Sequence, residues 1–180
     1  MAFLAHRDLP KREMYGARRI FLARLTTVLA GSVSACTPDA RPMKTTIPSL
    51  PHSILPDVPW SFSQALTESS ALLQTALTAY AAAIQVPLDV AALHAVFPGN
   101  ALDIDYAYAA RNGAGAWVDV PQTVRIRRDA PPTYLDILYT LHAAAQVHLG
   151  GQDHCFFEGL WLQERTHEPN VPLYRLHTGS

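Results

Sequence analysis

"ALDIDYAYAARNGAGAWVDVPQTVRIRR" runs from Ala101 to Arg128, and the period of its apolar residues points to the architecture. Leu102, Ile104, Tyr106 and Tyr108 alternate with Asp103, Asp105, Ala107 and Ala109. A period of two is the signature of a strand with one buried face. "RNGAG" (Arg111 to Gly115) supplies the turn. "AWVDVPQTVRIRR" then reads as the returning strand, with Val124 and Ile126 facing in and Arg125 and Arg127 facing out. Pro121 cannot donate to a ladder, so it marks a break, a bulge or an edge position in that strand.

Outward from this hairpin the period changes to that of a helix. Downstream, "PPTYLDILYTLHAAAQVHLGG" places Leu135, Leu138, Ala145 and Leu149 on one face. Thr133 and Asp136 are spaced as a capping-box pair, and Gly150 is the stop. "HCFFEGLWLQE" follows as a strand, with "VPLYRLH" as its partner across a polar loop. Upstream, Phe62, Leu66, Leu73, Leu77, Tyr80 and Ile84 predict a helix of about six turns, capped by Ser61 or Ser63 and ended by Pro87. "LDVAALHAVFPG" predicts a short second helix, with Asp89 as N-cap and Leu88 and Leu93 as a hydrophobic staple. The expected order is α-α-β-β-α-β-β, an α+β domain with an antiparallel sheet of about four strands and two to three helices.

At 180 residues and 49% hydrophobic content the chain can bury one sizeable core. Six of its fourteen prolines fall between Pro38 and Pro59. Residues 1–36 hold six Lys/Arg against two acids; the rest holds eight against thirteen, a net of −5. A basic leader thus precedes an acidic body, and that body is unsuited to neutralising phosphates, so no nucleic-acid partner is expected. Two cysteines, Cys36 and Cys155, exclude a disulfide-framed scaffold.

The leader carries "RRIFL" (Arg18 to Leu22), an uncharged run from Leu25 to Ala35, and then "VSAC" (Val33 to Cys36). Eleven apolar or small residues suit a signal-peptide core and are too few for a membrane span. With Arg18, Arg19, Phe21 and Leu22 in place, the first motif resembles the twin-arginine export signal. The second is similar to a bacterial lipobox. The resemblance covers residues 1–36 and implies cleavage before Cys36, lipidation of Cys36, and a periplasmic protein tethered to a membrane. Residues 37–60 then read as a Pro-rich tether, and residues 61–180 as a single domain. The alternative is an amphipathic or transit-type basic segment on a cytoplasmic α+β domain.

The densest polar cluster is "GGQDHCFFEG". Asp153, His154 and Glu158 are the candidate catalytic residues, with His142, His148 and His167 as further potential ligands. Geometry limits a metal reading. Along a strand, His154 and Glu158 lie about 13 Å apart at ~3.3 Å per residue. On a helix, His142 and His148 are about 240° apart. The spacings HExxH, CxxC and His-x3-His are absent. No metal and no cofactor is therefore expected. Cys155 reads as a buried thiol, because adjacent His154 would point to the other strand face. Phe157 and Trp161 are expected to pack into one face of their strand. Glu158 is expected on the other, paired to Arg125, Arg127 or Arg128. The aromatic set around them reads as sheet core rather than a ligand stack.

These features predict an exported, lipid-anchored binding or interaction domain with a protein partner, of which an immunity-like inhibitor is one form. The rival expectation is a small metal- or acid/base-dependent enzyme built on Asp153, His154 and Glu158.

Overall fold

The computed structural model describes residues 49–180. The leader motif (Arg18, Arg19, Phe21, Leu22), Cys36 and the tether up to residue 48 lie outside the described residues. The elements are β1 (Ser53–Ile54), β2 (Trp60–Ser61), α1 (Ser70–Ala83), α2 (Val90–His94), β3 (Ala101–Arg111), β4 (Trp117–Arg127), α3 (Tyr134–Leu149), β5 (Phe156–Leu162) and β6 (Leu173–Gly179). From α1 onward this is the predicted order.

The β3–β4 hairpin forms as its alternation demands. Leu102, Ile104, Tyr106, Val124 and Ile126 are buried on one face. The Asn112 side-chain oxygen accepts from the amides of Ala114 and Ala116 at 2.9 and 3.0 Å, which closes the turn, and Gly115 takes a φ of +80°. β4 is an edge strand, and Pro121 stands opposite Ala107 in it. α3 has its capping box of Thr133 and Asp136 and ends at Gly150. It presents Leu135, Ile137, Leu138, Leu141, Ala145 and Leu149 to the same core. α1 packs against α3, with Leu73 and Leu77 fully buried.

The sheet differs from the expected antiparallel set of about four strands. It has six strands in the order β1-β5-β6-β3-β4, with β2 also on β5, and β6 runs parallel to β3. The cause is α3. It carries the chain back along the sheet, so β5 runs in the direction of β4, and β6, antiparallel to β5, runs in the direction of β3. The two hairpins then join through parallel central strands. α1 is also shorter than predicted. Ser69 caps it, Leu66 and Ile84 are exposed, and Phe62 is buried beyond the helix, just after β2.

The reading of residues 37–60 as a tether fails for the described part. β1 pairs with Leu160 and Trp161, and β2 pairs with Phe156 and Phe157. Ile54, Leu55, Val58 and Trp60 belong to the core. The Tyr174 hydroxyl donates to the Pro51 carbonyl at 2.8 Å. Two short strands thereby cover the free edge of β5, a common remedy for an exposed edge. Of the prolines that suggest a linker, Pro51, Pro56 and Pro59 separate and frame these strands.

Candidate functional site

The side chains that point away from the helices build the site. Strand alternation puts Asp103 and Asp105 of β3 on the face opposite Ile104 and Tyr106. Register then aligns four strands: Trp161 is opposite Arg175, Arg175 is opposite Asp105, and Asp105 is opposite Thr123. These four residues form one row across the outer face of the sheet.

The loop between β5 and β6 folds back over this row. Arg127 holds it, with Nη2 2.8 Å from Asp103 Oδ1 and 3.3 Å from Glu168 Oε2. Asp103 is fully buried. Its contact with Arg127 is electrostatic rather than a well-aligned hydrogen bond, and neither carboxylate oxygen has a hydrogen bond of good geometry among the described residues. His167 gives a second fastening, its Nε2 lying 2.9 Å from both Asp105 oxygens. Thr123 Oγ1 donates to Asp105 Oδ1 at 2.6 Å. Because Nε2 faces only acceptors, it carries a proton and leaves Nδ1 free of the pair.

Between loop and sheet lies a groove of about 730 Å³, lined among others by Asp105, Thr123, Glu164, Arg165, His167 and Arg175. Its polar network does not activate a nucleophile. Thr123 and His167 both donate to the same carboxylate, so histidine does not stand between hydroxyl and acid as a triad requires. The arrangement can hold and orient polar groups of a small molecule.

The predicted cluster does not assemble. Asp153 and His154 line a smaller depression of about 340 Å³, together with Tyr108, Asp119, Gln152 and Thr178. Glu158 is exposed on a bulge of β5, its carboxylate lying over Gly179. Among the described residues it has no arginine partner, so the expected ion pair is absent. Phe157 is buried as expected, but Leu160, not Trp161, shares its face. Trp161 is half-buried and lies against His177, ring centroids 4.5 Å apart. Cys155 is buried, its Sγ 3.4 Å from Ser61 Oγ. His142 is buried against Trp60 and Phe62, and His148 stacks on Tyr108. Among the described residues no group of three or more His, Cys, Asp or Glu is placed to hold a metal ion.

Sequence reasoning missed Asp105, Thr123, Arg165 and Arg175 as site residues and treated His167 only as a possible ligand. Alternation gave the face of Asp105. No local signal reveals that β6 lands beside β3 or that the loop covers both. Comparison with protein families, with curated proteins and with solved structures returns no match.

Proposed function

We propose that this protein is an exported, membrane-tethered binding domain that captures a small molecule, or an exposed group of a protein partner, in the groove beneath the β5–β6 loop. The groove carries the reading. It combines a fixed Asp105–His167–Thr123 network with two arginines and, among the described residues, has no adjacent nucleophile–base pair. Tethering rests on the RRIFL and VSAC motifs and the lipid they imply on Cys36. An immunity-like inhibitor belongs to this class by analogy alone.

Two experiments test the two halves. In fractionated cells the full chain is expected in the membrane fraction, and Cys36→Ala is expected to release it. Full-length protein found soluble in the cytoplasm favours the alternative of a cytoplasmic domain with a basic N-terminal segment. For the groove, thermal shifts are read with N-acetylglucosamine, a dipeptide, phosphate and succinate. At least one is expected to raise the melting temperature of the wild type and not that of Asp105→Ala. No shift with any of them counts against the groove.

A small enzyme is the second reading, and one observation favours it. The Asp105–His167 pair leaves Nδ1 as a potential general base beside the groove. The Asp153, His154 and Glu158 trio supports it less, because Glu158 lies apart from the depression that the other two line. Turnover lost in both His167→Gln and Asp105→Asn, with binding kept, would favour the enzyme.

A further inference from the structure

We infer that the groove takes an anionic ligand, a carboxylate- or phosphate-bearing small molecule gripped by Arg165 and Arg175. This rests on the groove being the binding site, as proposed above.

Arg175 has an obvious counter-charge that it does not use. Asp105 is its lateral neighbour across the parallel β3–β6 pair. Opposite charges so placed ordinarily attract each other. Here both oxygens of Asp105 are turned to His167, and one also accepts from Thr123. Among the described residues no carboxylate comes within 4.0 Å of the Arg175 guanidinium. Arg165 reaches the groove from the loop, two residues before His167, and has no carboxylate within that distance either. The nearby acids Asp103 and Glu168 are committed to Arg127. The acids on the groove wall are Asp105, engaged by His167 and Thr123, and Glu164, beside the two arginines Arg165 and Arg175.

Two arginines that line one groove and have no acid partner among the described residues suit an oxyanion. Each presents a planar fork of N–H donors that matches a carboxylate or phosphate, and such charge-assisted bonds exceed neutral ones in strength. The groove's size and the net charge of −5 from Thr37 onward favour a small anion over a nucleic acid.

The test is calorimetric titration of the full chain at constant ionic strength with phosphate, succinate and N-acetylglucosamine. Wild type is expected to bind phosphate or succinate with a Kd of about 1 mM or tighter. Phosphate alone identifies a phosphate-type ligand, and succinate alone a carboxylate. Arg165→Gln and Arg175→Gln are each expected to weaken binding by about tenfold or more. Arg125→Gln, on the same sheet face but not lining the groove, is expected to leave it unchanged. All three positions are exposed, and unchanged melting of the variants verifies that they fold. Oxyanion binding that survives both groove substitutions overturns the inference. Binding of the neutral sugar alone also overturns it while leaving the groove as a binding site. Binding of none overturns both.

Discussion

His142 sits in the core with no solvent exposure, accepting at Nδ1 from the Trp60 indole at 3.1 Å and stacked on Phe62. A histidine that accepts at Nδ1 carries its proton on Nε2 when neutral, and here Nε2 has no hydrogen bond of good geometry among the described residues. Burial pushes its pKa below the ordinary histidine range, offset in part by the Gln64 carbonyl. The unfolded chain therefore binds this proton more readily than the folded one. The stability so contributed is present above the ordinary value of 6.5 and is lost as pH falls toward the depressed folded value. Melting temperature should accordingly fall as pH drops below 6.5, and His142→Leu should flatten that dependence relative to wild type. The same substitution should cost about 1–3 kcal/mol near pH 8, because the Trp60 N–H loses its acceptor. Asp103 is the second residue whose surroundings decide its worth. Arg127→Met leaves a buried carboxylate without its cation. Loss of about 2–3 kcal/mol in urea denaturation is expected, below the ~3–5 kcal/mol of a fully enclosed pair because Arg127 is partly solvated.

β5 shows how one extra residue re-aims an element. Strict alternation from His154 puts Phe157 and Trp161 on one face. The register instead shifts between Phe157 and Gly159, opposite Thr178 and His177. One inserted residue inverts the alternation beyond it, so Leu160 enters the core and Trp161 turns to the outer face. Gly159 makes this possible, with a φ of +117° and Pro56 packed where a Cβ would go. Gly159→Ala should cost about 2 kcal/mol or more, from left-handed backbone and overlap together. Leu160→Ala should cost ~2–5 kcal/mol and exceed Trp161→Ala, while Glu158→Gln should stay within about 0.5 kcal/mol. Urea denaturation of the four variants tests the order. If Trp161→Ala proves the costlier of the two, the inverted alternation is wrong.

For the molecule as a whole, the segment between Pro51 and Ser61 contributes Ile54, Leu55, Val58 and Trp60 to the core. Ile54, Leu55 and Val58 are each buried to within a few per cent, and burial of such side chains is worth about 1.5–3 kcal/mol apiece. Beginning the chain at Trp60 also uncovers part of the β5 edge. A chain starting at Trp60 should therefore melt more than about 10 °C below one starting at Ser49, since about 1 kcal/mol moves a domain of this size by a few degrees. Equal melting temperatures would return these residues to the role of a tether.

Local features follow from the amino-acid order alone. The period of two in β3 and β4, the capping box of α3 and the Asp89 cap of α2 depend on neighbours a few residues apart, and short-range sterics and hydrogen bonding enforce them. Whatever depends on which strands meet is settled only in the folded chain. That β6 lies beside β3, that Ser53–Ile54 and Trp60–Ser61 add to β5, and that Arg175 stands next to Asp105 are pairings across tens of residues. Asp105 illustrates the division: its outward direction was legible, but its partners His167 and Thr123 were not. Alternation fixes the face on which a side chain emerges. Its neighbours there are set by chain crossings and by register, which are selected by burial summed over the whole core.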